Sequence, residues 1–201
     1  SFCLEGSLFN AGTVIQWLRD GLQIIDQAPQ VNELARSVPD SGGVMLVPAF
    51  TGWGTPHWDP QARGVLVGLT RDSGRGHIAR AALEGIALSV ATLVDLAEQA
   101  LGTGLGELAV DGGAAASDPL LQAQADCTGL TVRRPASLES TARGVALFAG
   151  LQAGVISDLE QLATARRDGA ELFHPQMDAH QRNRWRTRWQ DAVSRSLGWH
   201  G

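Results

Sequence analysis

The chain has 201 residues and a mass of 21.3 kDa, enough for one domain or two small ones. With 44% apolar and 18% charged residues it has the composition of a folded domain, which excludes intrinsic disorder. A formal net charge of −5 argues against a broad electrostatic grip on nucleic acid.

Read in chain order, Phe2 to Leu4 is a short apolar stretch of strand character. Ser7 is placed to cap a helix through Ala11, Ile15, Trp17, Leu18 and Leu22. Pro29 and Pro39 bracket a weaker segment, and Ser41-Gly42-Gly43 is a turn. Val44 to Val47 and Gly64 to Leu69 read as strands that pair as a long-looped hairpin. The loop between them, Ala49 to Arg63, sets Phe50, Trp53, His57 and Trp58 among Gly and Pro, so it is expected to pack rather than wander. His77 to Leu101 carries the clearest helical pattern. Leu108 to Val110 is a strand running into Asp111-Gly112-Gly113. Ser117 or Asp118 caps the next helix, with Pro119 in its first turn and Gly129 at its end. Thr131 to Arg133 is a strand. Ser140 to Gly154 and Asp158 to Ala165 are helices, and Leu172-Phe173 is a last strand. Asp178 caps a C-terminal helix reaching about Leu197. This alternation predicts an α/β fold in one domain.

No apolar run reaches the ~18 residues of a membrane helix. Cys3 and Cys127 are too few for a disulfide framework, and a reducing cytoplasm is the expected compartment. Every basic residue is Arg, which excludes a Schiff-base or P-loop lysine. The His residues show no metal-ligand spacing. The chain opens without Met and reads like the middle of a domain, so a fragment is expected.

Three segments bear on chemistry. The Asp111-Gly112-Gly113 turn, leading from a strand into a helix, is either a structural turn or a cradle in which a nucleotide lies against backbone N–H groups. Gly12 interrupts a helical pattern, with Gln16 one turn on; this fits helix packing or a ligand contact. His77 and Glu84 lie two turns apart on one side of a helix, where a local polar pair is expected. The Arg- and Trp-rich stretch Arg182 to Trp189 fits a packed helix face, with Trp185, Trp189 and Val193 inward, better than a base-stacking surface.

The spacing from Gly64 to Glu84 resembles the second signature of the FGGY carbohydrate kinase family. Glu5-Gly6, Gly12 and Gln16-Trp17-Leu18-Arg19, then Val47-Pro48-Ala49-Phe50-Thr51-Gly52, Trp58-Asp59-Pro60, Val110-Asp111-Gly112-Gly113 and Arg134-Pro135 are similar to it in the same order. The resemblance is dense from residue 2 to about 154 and thin thereafter. It implies an actin-like ATPase lobe of the ribonuclease H-like class. That lobe has a mixed sheet with helices on both faces, and its N-terminal strands lie outside residues 1–201. It implies an ATP-dependent kinase of which this is the C-terminal lobe, inactive alone, with nucleotide contacts at Gly12, Gln16, Gly112, Gly113 and Ser117. Ser117 stands where the family usually has Asn. The implied cofactors are ATP and Mg²⁺. The implied substrate is glycerol or a similar polyol, bound mainly by a preceding part, in a homo-oligomeric whole enzyme; no nucleic acid or membrane span is expected. No catalytic or metal-binding residue falls within the chain on this basis. A kinase for another polyol or a ketose, or a non-catalytic nucleotide-binding or interaction module, is the alternative.

Overall fold

The computed structural model describes residues 3–156 and 169–199. The expected helix at Asp158 to Ala165 lies outside the described residues. The first expected strand is not formed: Cys3 and Leu4 are exposed and unpaired in any sheet, and Phe2 lies outside the described residues. Ser7 does not cap a helix either. It is tied instead to the aromatic loop, and α1 (Gly12–Gln16) starts five residues later, continuing as a π-helical turn over Trp17–Gly21. Then come α2 (Gln30–Arg36), β1 (Met45–Val47), β2 (Val65–Val67) and the long α3 (Arg75–Leu101). β3 (Glu107–Ala109), a 3₁₀ turn (Gly113–Ala116), α4 (Asp118–Thr128) and β4 (Thr131–Arg134) follow. The last elements are α5 (Ser140–Gln152), β5 (Glu171–Phe173) and α6 (Ala179–Ser194), which stops short of Leu197.

The hairpin forms as the sequence predicts. β1 pairs antiparallel with β2, Leu46 opposite Leu66. A second, mixed sheet has the order β3-β4-β5, with β3 parallel and β5 antiparallel to β4. Leu121 and Ala125 of α4 pack on Val132 of this sheet.

α3 organises the core. Leu83, Ile86 and Leu88 are fully buried, each contributing roughly 1.5–3 kcal/mol relative to exposure. β1 lies against it so closely that a Cβ on Gly85 would sit 2.1 Å from the Leu46 carbonyl oxygen. α3 is long and apolar enough to cross a membrane, but most of its apolar stretch is buried inside this fold, as in a core helix. The α6 face forms as expected: Trp189 and Val193 are buried, and the Trp189 indole N–H donates to Thr92 Oγ1 at 3.2 Å.

The expected pair between His77 and Glu84 is absent. His77 turns back to the helix start, where its Nδ1 accepts the Gly74 N–H at 3.1 Å. Glu84 is held by Arg80, one turn away, at 3.0 Å. Burial pushes the Glu84 carboxyl above its ordinary range, and Arg80 opposes this only in part.

Candidate functional site

The aromatic loop places α1. Thr55 N–H donates to the Ser7 carbonyl and Thr55 Oγ1 accepts the Ser7 N–H, each at 3.1 Å. A side chain at Gly54 could not be fitted there, since its Cβ would lie 2.4 Å from the Ser7 oxygen. Buried Asn10 donates to Thr51 Oγ1 at 3.1 Å and accepts from Thr13 Oγ1 at 3.3 Å. The loop is itself pinned: the Trp53 indole donates to Ser196 Oγ at 2.9 Å, and Trp53 meets Trp189 edge-on. Val14 and Ile15 then face the core, which leaves Gly12 and Gln16 on the exposed side of α1. Gly12 is the first residue of the helix, not an interior one, and nothing lies within 4 Å of where its Cβ would be. Packing against Gly12 is therefore not its reason for being small.

The second half is the turn after β3. Gly112 has φ +79°, a conformation that favours glycine, and its N–H donates to the Leu138 carbonyl at 2.9 Å. Neither Gly112 nor Gly113 has anything within 4 Å of a Cβ, so the backbone here is open to a ligand. Ser117 differs. It is only 4% exposed, caps α4 by accepting the Leu120 N–H at 3.3 Å, and donates to Asn32 Oδ1 at 2.5 Å. Its hydroxyl serves the turn.

Other groups brace the same turn. Arg134 donates to the Ala115 carbonyl at 3.0 Å and to Asp118 at 2.9 Å, and it also pairs with Glu171. Arg36 of α2 reaches Asp118 from the other side at 3.1 Å. Sequence reasoning assigned no contact to Asn32, Arg36 or Asn10. Their partners lie 85, 82 and 41 residues away, and no local pattern signals such contacts. Gly112, Gly113 and Ser117 are thus gathered in one turn. Among the described residues no hydrogen bond joins that turn to Gly12 or Gln16; Ala11 and Ala114, next to each half, pack on the same core.

Each surface by itself suits close approach of a ligand such as the adenosine end of a nucleotide: open backbone at Gly12 with the exposed Gln16 amide one turn on, and open backbone at Gly112 and Gly113. They do not fit a resident metal, since no group of three or more His, Cys, Asp or Glu converges among the described residues. A cavity of about 880 Å³ lies between α2, α3, α4 and α6 and adjoins the braces of this turn at Arg36 and Asp118. Its lining pits Arg36, Arg80, Arg184 and Arg188 against Asp40, Glu84, Asp118 and Asp126, so it has no net charge preference. Cys127 is buried against the Ala87 carbonyl and its thiol is pushed up by burial, which makes it inert.

The α/β lobe, with its mixed sheet and flanking helices, has the fold of the actin-like ATPase class. Residues 1–153 match the C-terminal domain of the FGGY family of carbohydrate kinases, and the chain belongs to that family. Among curated relatives it is 52% identical to glycerol kinase of Aromatoleum aromaticum over 198 residues. It is 51% identical to that of Citrifermentans bemidjiense over 201. Each match takes in 98% of this chain and 40% of the relative, so the chain spans about two fifths of their length. Among solved structures, Plasmodium falciparum glycerol kinase with ADP superposes with a TM-score of 0.83 at 31% identity, over 92% of this chain and 37% of that one. Xylulose kinase of Lactobacillus acidophilus, at 24% identity and a TM-score of 0.71 over 95% of this chain and 38% of that one, shares the fold.

Proposed function

We propose that residues 1–201 form the C-terminal, nucleotide-binding lobe of a longer glycerol kinase, which transfers the γ-phosphoryl group of ATP to glycerol. What supports this is open backbone at Gly12 and at Gly112-Gly113 in a chain about half identical to curated glycerol kinases. The solved relative with ADP supports the nucleotide. In this reading Gly12, Gly112 and Gly113 let the adenosine approach the backbone and the Gln16 amide holds it. Ser117 keeps the turn in shape, and Arg134 locks that turn to the sheet. Bound ATP supplies the transferred group. In this reading the Mg²⁺ that phosphoryl transfer needs, the base for the attacking hydroxyl and most of the glycerol site belong to the rest of the longer protein. The protein acts in the cytoplasm as a homo-oligomer.

The exposed state of two features supports a larger whole. Among the described residues β3 is an edge strand, and α5 has no buried residue. The lobe alone is then marginally stable, and its unfolding temperature should rise when the preceding part is supplied; no change contradicts this. The test of function is ADP formation by the full-length protein with ATP and a panel of polyols and ketoses. Turnover with glycerol foremost is expected. Turnover with a ketose alone, or nucleotide binding with no turnover, overturns the glycerol kinase reading in favour of another kinase or a sensor module.

A further inference from the structure

We propose that Phe9, Trp58 and Trp199 form the centre of a self-association surface, through which two copies of the chain pair about a two-fold axis. This rests on the homo-oligomeric reading above and supplies the surface which that reading lacks. The three side chains are large and apolar, yet they are 47%, 64% and 56% exposed. Phe9 meets Trp58 edge-on, with ring centroids 6.5 Å apart. Trp199 leaves the surface beside the same loop, because the Gly198 N–H donates to Asp59 Oδ2 at 2.7 Å. The loop beneath is fixed. Trp53 is bonded to Ser196 and Thr55 to Ser7, and the Trp58 N–H donates to the Gly54 carbonyl at 2.8 Å. Trp58 itself has φ +47°, a conformation that bulky residues seldom adopt, and it is held there with its ring in solvent. Rigid, outward-facing aromatics of this kind are the anchors of protein interfaces. At ~150–250 Å² for each aromatic side chain, the three expose on the order of 300 Å² together. That is the size of an apolar patch that marks an interaction site, and roughly a third of the ~800 Å² that each partner gives to a stable interface. A two-fold pairing sets the patch against its own copy and supplies the apolar centre from both sides. The other open apolar surface, on α5, follows the second sheet and is the face assigned above to the preceding part of the chain. The aromatic loop joins β1 to β2 and rests on α6, so covering α5 does not by itself cover this patch.

The test is sedimentation velocity of the full-length protein over a range of concentrations, as wild type and as Trp58→Glu with Trp199→Glu. Both side chains are more than half in solvent in a single copy, so the fold is kept, while the new carboxylates meet their own copies across the two-fold. The wild type should self-associate, and the double variant should do so with a dissociation constant higher by about tenfold or more. An unchanged constant overturns the proposal and leaves the homo-oligomeric reading standing. A wild type that stays monomeric at every concentration removes both. If the double variant does not fold, hydroxyl-radical footprinting of the wild type decides instead. Protection of Trp58 and Trp199 that grows with protein concentration supports the proposal. Rings that stay reactive in the oligomer, or that the preceding part of the chain already protects in the monomer, overturn it.

Discussion

Two helices of similar apolar character end up in opposite surroundings. α3 buries twelve of its 27 residues against β1, α2 and α4. α5, thirteen residues long and with Arg143 as its one charged side chain, buries none, and Val145 and Phe148 are 68% and 70% exposed. The difference is one of neighbours rather than of sequence. α3 has the hairpin, α2, α4 and the C-terminal helix around it; α5 follows a sheet in which β3, among the described residues, is an edge strand. The candidate site sits at the boundary between the two regimes. Its α1 half is anchored to the dense core through the aromatic loop, and its glycine turn is anchored to the Leu138 carbonyl just ahead of α5. A cleft lining is what such a boundary becomes when a further layer covers the open side.

The contrast can be broken at its dense end. Gly85→Ala should cost about 3 kcal/mol or more, because the new methyl meets backbone at Leu46 and neither α3 nor β1 has room to move. Urea unfolding of the variant measures it; a midpoint within error of wild type would mean the α3–β1 contact is looser than described.

At the open end the effect should depend on context. Replacing Val145 and Phe148 together by Gln should leave residues 1–201 alone within about 0.5 kcal/mol, since both side chains are already in solvent. In the full-length protein the same pair should lower stability by about 2–4 kcal/mol, as two buried apolar side chains are lost. Equal effects in both settings would remove the argument that α5 is a covered face.

Between the two regimes lies Arg134. Arg134→Met removes its bonds to Ala115 and Asp118 and its pairing with Glu171. The acidic partners are half-exposed, so the loss should be about 1–2 kcal/mol in thermal unfolding, with a weaker nucleotide affinity as the turn loosens.

Glu84 gives the smallest effect. Its carboxyl is raised in the folded state, so the folded chain holds its proton more tightly than the unfolded one. Stability from this group is full below the ordinary value of 4.5 and is lost as pH rises through the raised one. Glu84→Gln should flatten that decline, measured as unfolding midpoints from pH 4 upward; an unchanged slope would show that Arg80 neutralises the burial cost.

Much of this is legible in the sequence. The hairpin, α3, the Ser117 cap, the Gly129 stop and the α6 face follow from patterns that repeat within a few residues. The start of the chain misleads because Ser7 satisfies a local capping rule, yet Thr55, 48 residues away, takes its backbone N–H. His77 and Glu84 mislead likewise: helical spacing puts them on one side, but each finds a nearer partner in Gly74 or Arg80. For the site, glycine positions are readable because their reason is local backbone geometry. Asn32, Arg36 and Asn10 are not, since their meaning depends on residues that only the fold brings alongside.

In the proposed function, Gly12–Gln16 and Gly112–Ser117 form the two walls of one nucleotide site. Hydrogen exchange of the full-length protein, with and without ADP, tests it most directly. Both segments should gain protection together on adding ADP, over one concentration range. Protection of only one segment, or of neither while ADP binds elsewhere, would contradict it.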